Sequence, residues 1–279
     1  MNTILVPVDF SKSSKNAYLF ARQFAAILHT EIKVIHIYSG SFKTNEPLYF
    51  EPNKGREEVL QDRLMRFVSD IPAPAGDTAV QSAIDAAAYT GFSTVGKITQ
   101  IAREEDAMLI VMGMKGAHDV VEKVLGSVST GVAQKAHCPV ILVPEKAPYR
   151  GFDHIVYASN YEAAGEDFLN QIVAFTRLFN STLHFVHIDL GKQEQFAKAE
   201  QKIFDYLFKN GSPDFPFHIS KIQAGNAVEG LNQYCKQYPV DLVVLANKHR
   251  SKLDNLLGKS TTKRVAMHAE IPLMIYHLD

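Results

Sequence analysis

The sequence repeats itself once, and this repeat constrains the fold more than any other feature. Residues 31–38, EIKVIHIY, correspond to residues 182–189, TLHFVHID, at a separation of 151 positions. That separation holds over more than thirty residues and later falls to 133, where Ser127 corresponds to Ser260. A constant separation over such a length indicates an internal duplication. The smaller second value means that the middle of the second half is shorter.

The length of the chain agrees with two copies of one domain. The 279 residues divide into halves of about 140, which is close to the usual domain size. The stretch Pro144–Gly151, PEKAPYRG, carries two prolines and ends in glycine, as expected of a linker. We therefore predict one domain over residues 1–146 and a second over residues 150–279.

Within the first half, short apolar runs alternate with segments that have helical periodicity. The stretch Ser39–Asn53 is predicted to be a loop, because Pro47 and Pro52 break regular structure. Alternating strands and helices predict an α/β fold with a parallel sheet covered by helices on both faces. The predicted strands are Thr3–Val8, Glu31–Tyr38, Thr78–Ala86, Met108–Met112 and Val140–Val143, and the predicted helices are Ser13–Leu28, Glu57–Ser69, Thr94–Glu105 and Ser127–Ala136.

A glycine-rich stretch follows the fourth predicted strand. The apolar run ends at Gly113 and Gly116, and Gly126 and Ser127 then open the next predicted helix. Glycines let backbone N–H groups approach an anion closely, and a helix N-terminus favours negative charge. Lys115 adds a mobile cation, and serine hydroxyls add further donors. The stretch therefore predicts a phosphate-binding loop.

Other candidates follow the first two strands, at the edge of the sheet where α/β folds bind ligands. Asp9 can contact a ribose hydroxyl or a base edge, or it can simply cap the first helix. Ile35, His36 and Ile37 can flank a flat base with backbone groups. His36 recurs as His187 in the second half, which favours a hydrogen-bonded structural histidine at both positions.

The glycine-rich stretch resembles the nucleotide-binding motif G-x-x-G-x9-G-S of the universal stress protein family. The opening VPVDFS and the closing HCPVILVP of the first half are similar to that family as well. The resemblance extends over both halves as two tandem domains. Its motif residues are Gly113, Gly116, Gly126, Ser127, Val128 and Ser129.

This resemblance implies two Rossmann-like open sheets, each of five parallel strands in the order 3-2-1-4-5. It also implies ATP in the first domain, with magnesium, and a pairing of domains through their final strands. Val140–Val143 would then pair with Leu273–Tyr276, and a homodimer is a further expectation. The candidate nucleotide-binding residues are Pro7, Val8, Asp9, Ile35, Ile37, Met112, Gly113, Lys115, Gly116, Gly126, Ser127, Val128 and Ser129.

The second half departs from the motif at every aligned glycine. Ala246, His249 and Lys259 stand where Gly113, Gly116 and Gly126 would, and Asn160 replaces Asp9. We therefore expect the second domain not to bind ATP in the same way. It is expected to be structural or to bind something else, for example a smaller anion.

The composition argues against further classes of function. With 29 basic and 30 acidic residues, no charge excess points to nucleic acid, and no apolar run is long enough to span a membrane. The two cysteines and the absence of a leader pattern favour the cytoplasm. No catalytic constellation or metal-ligand spacing stands out. We expect an ATP-binding regulatory protein of the stress response with an unidentified protein partner. The alternatives are a slow ATP-hydrolysing or nucleotidyl-transfer enzyme and a nucleotide-free scaffold.

Overall fold

The computed structural model describes most of the chain as two units, Met1–Tyr149 and Arg150–Asp279. The described residues are 3–39, 41–42, 50–51, 54–71, 84–115, 126–159, 165–189, 193–209, 211–247 and 271–277. The elements of the first unit are β1 Thr3–Pro7, α1 Lys12–Leu28, β2 Glu31–Tyr38, β3 Ser41–Phe42, β4 Phe50–Glu51, α2 Lys54–Ser69, β5 Ile84–Thr90, α3 Thr94–Glu104, β6 Ala107–Gly113, α4 Ser127–Lys135 and β7 Val140–Val143.

The main sheet of the first unit has the order β5-β2-β1-β6-β7, and every neighbouring pair is parallel. Counted as five main strands, this is the expected order 3-2-1-4-5, so the predicted fold is confirmed. Right-handed crossovers place α1 and α2 on one face and α3 and α4 on the other. Tyr18 of α1 and Phe67 of α2 are in contact, with ring centres 5.9 Å apart. Helices on both faces explain why the middle strands are continuously apolar.

The third strand was predicted too early in the chain. The structure has β5 at Ile84–Thr90, whereas the prediction ended at Ala86, and residues 78–83 lie outside the described part. Its alanines favour a helix locally, but β5 pairs along its length with β2. The Gln61 side chain of α2 also donates to the Ala86 carbonyl at 2.7 Å and accepts from the Ala88 N–H at 2.8 Å. These tertiary bonds outweigh the local preference.

The predicted loop after β2 also needs a correction. Its described residues include the short antiparallel pair β3–β4, in which Phe42 lies opposite Phe50. Two residues per strand give no periodic signal, so such a pair cannot be identified from the sequence pattern. Residues 40, 43–49 and 52–53 of this loop lie outside the described residues.

The second unit repeats the strand order of the first. Its sheet runs β10-β9-β8-β11-β12, again with all neighbours parallel. The elements are β8 His154–Ser159, α5 Glu166–Leu178, β9 Thr182–Asp189, α6 Gln193–Phe208, β10 Phe217–Gln223, α7 Ala227–Gln237, β11 Leu242–Asn247 and β12 Leu273–His277.

Single hydrogen bonds reproduce the repeat as well. The Ile110 N–H donates to the Pro139 carbonyl at 3.0 Å, and the Val243 N–H donates to the Pro272 carbonyl at 3.1 Å. Both pairs are separated by the 133 positions that relate the later parts of the two halves. The match shows that the repeat extends to the ladder between the last two strands of each unit.

The second unit contains a histidine cluster that the first unit lacks at the equivalent sequence positions. His184 on β9 is 2% exposed, and its Nε2 lies 3.1 Å from Nδ1 of His154. Its Nδ1 lies 2.7 Å from the Tyr234 hydroxyl, and His218 is its direct neighbour on β10. Burial, with the nearby His218 and His154 imidazoles, lowers the pKa of His184 from 6.5 to about 4. The folded protein therefore holds His184 neutral at pH 7.

We predict a pH-dependent stability contribution from this buried histidine. Because its folded pKa lies below its unfolded value, its contribution is complete above about pH 6.5 and is lost as the pH falls towards 4. The melting-temperature advantage of the wild type over His184→Gln should therefore shrink from pH 7 to pH 4. The exposed His137→Gln is the matched control for replacing a histidine with glutamine at the surface. A constant advantage over His184→Gln across this range would contradict the prediction.

Candidate functional site

A cavity of about 590 Å³ lies in the first unit, at the carboxyl ends of β1, β2 and β6. The chain leaves β1 towards β2 and β5 and then returns to β6 on the other side of β1. Ligands of open α/β sheets bind at such a reversal of strand order. The volume is also within the usual range for small-molecule sites.

The cavity brings together twelve of the thirteen residues predicted from the sequence. Only Gly116 is missing from this group, because it lies outside the described residues. The twelve are Pro7, Val8, Asp9, Ile35, Ile37, Met112, Gly113, Lys115, Gly126, Ser127, Val128 and Ser129.

One wall of the cavity is the N-terminus of α4. Gly126 occupies the N-cap position with extended backbone, φ −72° and ψ 158°, and no side chain of the described residues caps the helix. The first-turn N–H groups of a helix have no partner within the helix. The N–H groups of Ser127, Val128 and Ser129 therefore lie at the cavity wall, where the helix dipole favours an anion.

The start of α4 is held by the backbone of Met114. The Met114 carbonyl accepts from the Gly126 N–H at 2.7 Å, and the Met114 N–H donates to the Val143 carbonyl at 3.0 Å. The buried Ser129 hydroxyl also donates to the Met114 carbonyl, at 2.8 Å. The hydroxyl of Ser129 therefore stabilises the loop base, contrary to the expectation of a hydroxyl donor to phosphate. The exposed Ser127 hydroxyl stays a candidate donor, and Ser129 a candidate through its N–H.

Gly113 is required by packing as well as by any ligand. A Cβ atom added at this position would lie 2.9 Å from the backbone carbonyl carbon of Ser13, in the first turn of α1. The Lys115 N–H lies 3.5 Å from the Ser13 hydroxyl. The missing side chain thus lets the end of β6 approach α1, a packing role beside the tight turn and the approach to phosphate that the sequence suggests.

Asp9 shapes the turn between β1 and α1. Its Oδ1 accepts from the Ser11 N–H at 3.0 Å, and the Ser11 hydroxyl caps α1 by accepting from the Ser14 N–H at 3.1 Å. Phe10, between them, has a left-handed backbone with φ 64°, which is unusual for an aromatic residue. Such conformations cluster at functional sites. Asp9 therefore has the turn-stabilising role as well as a position on the cavity wall.

The end of β2 supplies backbone groups. The Val8 N–H donates to the Ile35 carbonyl at 2.8 Å, so the backbone of Ile35 faces β1. Alternate residues of a strand direct their N–H and C=O groups to the same side, so those of Ile37 face the same way. Because β1 ends at Pro7, opposite Ile35, the Ile37 groups face the cavity instead of a strand.

His36 has the hydrogen-bonded role that its repetition favoured. Its Nδ1 lies 2.8 Å from the Val8 carbonyl, to which it donates, and its ring centre lies 4.5 Å from that of Phe10. Burial lowers the pKa of His36 below 6.5, so the imidazole is neutral at pH 7. Its ring also lines the cavity, which the sequence argument did not anticipate.

Helix α2 contributes cavity-lining residues that were not among the candidates from the sequence. Arg56, Leu60 and Arg63 all line the cavity. Their spacing of i, i+4 and i+7 puts them on one face of a helix, but the spacing does not indicate that this face meets the cavity. Other lining residues come from elements whose approach depends on tertiary packing: Phe10, Ser14, Tyr38, Ser39, Thr94 and Ile98.

The corresponding region of the second unit is only partly described. Asn160, His249, Lys259 and Ser260 lie outside the described residues, so the loss of the motif remains a sequence observation. Ala246, the counterpart of Gly113, is half-buried and follows the buried residues 242–245 of β11.

A separate cavity of about 500 Å³ lies between α5 and α6 of the second unit. Its charged groups are already paired. Lys209 lies 3.0 Å from Glu166, and Arg177 lies 2.6 Å from Asp214. This pairing leaves the cavity without the cationic character of the one in the first unit.

Comparison with known proteins decides the family. The universal stress protein family model matches residues 1–144 and 151–277. The chain belongs to the universal stress protein family. The two matched ranges cover both units, so this is a tandem universal stress protein. In the described part of the chain, no helix combines the length and the apolar character needed to cross a bilayer.

Curated relatives match about half of this universal stress protein. Universal stress protein YxiE of Bacillus subtilis is 28% identical over 149 residues, which is 51% of this chain and 98% of the relative. A universal stress protein of Mycobacterium tuberculosis is 28% identical over 150 residues, and the match spans only about half (48%) of the length of that relative. A solved universal stress protein from Archaeoglobus fulgidus superposes with a TM-score of 0.68 at 15% identity, covering 99% of this chain and 98% of the other. This last likeness shows the shared fold.

The close approach at Gly113 gives a stability prediction. Gly113→Ala places a methyl group against the Ser13 backbone and should lower the free energy of unfolding by about 1–3 kcal/mol in urea titrations. Gly165→Ala is the matched control, because its φ of −77° suits alanine and a Cβ there has no atom within 4 Å. Equal unfolding midpoints for the two variants would contradict the packing argument.

Proposed function

We propose that this universal stress protein binds ATP in the cavity of its first unit, one nucleotide per chain, and regulates a stress response through a protein partner. The observation that carries the proposal is the start of α4. Its uncapped N-terminus opens on the same cavity as the ends of β1 and β2. That arrangement offers an anion site at one end and groups for a nucleoside at the other.

The phosphates would bind at the α4 end. The N–H groups of Ser127, Val128 and Ser129, the Ser127 hydroxyl and the Lys115 ammonium are all donors, and the helix dipole adds favourable charge. Gly126 presents no side chain between these donors and the cavity. Gly116 is proposed as a phosphate-binding residue on the basis of the sequence motif alone.

The nucleoside would bind at the other end, near β1 and β2. The Ile37 backbone offers a donor and an acceptor for a base edge. The hydrogen bond from the Val8 N–H to the Ile35 carbonyl supports the neighbouring backbone. Asp9 offers a carboxylate acceptor for a ribose hydroxyl. The strained turn at Phe10 keeps Asp9 at the cavity wall, because the Ser11 N–H also holds its carboxylate.

Magnesium fits this site as a companion of the phosphates rather than as a protein-bound ion. Asp9 is the one carboxylate among the described lining residues, and it belongs to the proposed nucleoside end. Mg²⁺ retains several waters and often binds through substrate phosphates. The protein ligand nearest in chemistry would be the Ser127 hydroxyl. Bound with ATP, the ion would neutralise part of the phosphate charge.

We propose a regulatory role rather than efficient catalysis because of the chemistry of the cavity wall. The Asp9 carboxylate accepts from the Ser11 N–H, and the His36 ring donates to the Val8 carbonyl. Both side chains therefore already form hydrogen bonds within the turn that forms the site. The pairing of Val140–Val143 with Leu273–Tyr276, the homodimer and the identity of the partner stay predictions.

Titration calorimetry tests the stoichiometry. We expect one ATP per full-length chain in the presence of Mg²⁺, because the aligned glycines are present only in the first half. Gly126→Val should weaken binding, because its branched side chain would crowd the first turn of α4. Two equivalent sites per chain, or no heat of binding at millimolar ATP, would overturn the proposal.

A charge substitution separates binding from folding. Ser127→Asp adds a carboxylate in the first turn of α4, which favours the helix but repels phosphate. We expect an unchanged or slightly higher melting temperature together with a loss of ATP affinity of at least tenfold. Gly165→Asp adds the same charge at the uncapped start of α5 in the second unit and should leave ATP affinity unchanged. Equal ATP affinity of Ser127→Asp and wild type would argue against phosphate at α4.

A further inference from the structure

The α2 wall of the cavity carries a cation that faces an aromatic ring. The guanidinium carbon of Arg63 lies 4.1 Å from the ring centre of Phe10, and both residues line the cavity. Among the described residues, no carboxylate forms an ion pair with Arg63. An arginine stacked in this way keeps its in-plane N–H donors available for an anion.

The ring beneath Arg63 is firmly held. Phe10 has its left-handed backbone conformation between Asp9 and the N-cap Ser11. Its ring also contacts His36 at 4.5 Å and Phe67 at 5.7 Å between centres. These contacts fix the ring on which the guanidinium lies.

The cavity is therefore cationic on two sides. Its described charged residues are Arg56, Arg63 and Lys115 against Asp9, a net charge of +2 with His36 neutral. Lys115 belongs to the α4 side. The two arginines belong to α2, whose Gln61 bonds to β5 on the far side of β2.

The triphosphate proposed for the α4 end leaves the arginine side unexplained. Asp9, the proposed ribose partner, directly precedes Phe10, on whose ring Arg63 lies. In dinucleotide-binding folds, an acidic residue binds a ribose hydroxyl, or a nearby arginine accommodates a phosphate on that hydroxyl. Here the arginine lies on the ring of the residue that follows the acidic one. An anion on the ribose would meet Arg63.

We infer that the cavity selects an adenine nucleotide that carries a second phosphate on its ribose, with Arg63 binding that phosphate and Arg56 adding charge. This inference rests on the proposed nucleotide site. It adds a substrate class to it, since a plain adenosine mono- or triphosphate leaves Arg63 without an anionic partner.

Calorimetry with four compounds tests the inference on the full-length chain: AMP, ATP, adenosine 3′,5′-bisphosphate and adenosine 2′,5′-bisphosphate. At least one bisphosphate should bind about ten- to a hundredfold more tightly than AMP, the range of a hydrogen bond to a charged group. Arg63→Gln should remove this advantage and leave AMP affinity within about threefold. The preferred isomer identifies which ribose hydroxyl faces Arg63.

Arg66→Gln is the matched control. Arg66 is exposed on the same helix but does not line the cavity, and the charge change is the same. It should keep the bisphosphate advantage. Circular dichroism should show wild-type melting for both variants, because glutamine is a good helix former.

The outcomes separate the two proposals. If AMP and ATP bind but neither bisphosphate binds better than AMP, the inference is overturned and the proposed function stands. If Arg63→Gln weakens AMP as much as the bisphosphates, Arg63 stacks on the base and the inference is again overturned. If none of the four compounds binds, both proposals fall.

Discussion

The candidate site depends on the backbone of one residue, Met114. Its N–H donates to the Val143 carbonyl, and its carbonyl accepts from the Gly126 N–H and the Ser129 hydroxyl. These bonds connect the end of β6 to the end of β7 and to the start of α4. Without them the first turn of α4 would have no fixed position relative to the sheet, and its N–H groups would not share a cavity with Asp9.

The approach of β6 to α1 completes this arrangement. Because Gly113 has no side chain, the first turn of α1 can pack against the end of β6, next to Lys115. The turn before α1 contains Asp9 and the strained Phe10, so the same contact positions both walls of the cavity. In the second half alanine stands at this position as Ala246. The duplication therefore preserved the sheet order while the groups around the cavity diverged.

Much of the fold follows from sequence periodicity, since the strands Glu31–Tyr38 and Val140–Val143 have the predicted bounds. Val140–Val143 is apolar throughout and Glu31–Tyr38 is rich in isoleucine, so local pattern and tertiary pairing agree there. The strand Ile84–Thr90 was misplaced because its alanines carry no strand signal. Its position is set by pairing with β2 and by the amide of Gln61, both distant in sequence.

The residues of the candidate site also divide into those that the sequence pattern predicts and those whose position depends on tertiary packing. Gly113, Gly126 and Ser127 could be identified because spacing alone describes a loop and a helix start. Arg63 could not be assigned a role, because an exposed charged helix face usually contacts only solvent. Its position over Phe10 depends on the packing of α2 beside the β1–α1 turn. Likewise, only the structure shows that the Ser129 hydroxyl bonds to the loop base.

The account makes one central claim, that the first unit holds the nucleotide in the cavity between α4 and α2. Photolabelling of the full-length chain with 8-azido-ATP and Mg²⁺, followed by peptide mapping, tests it most directly. The account predicts label confined to peptides from residues 1–149, near the end of β2 and α2, and suppressed by excess ATP. Label that maps to residues 150–279, or label that ATP does not suppress, would contradict it.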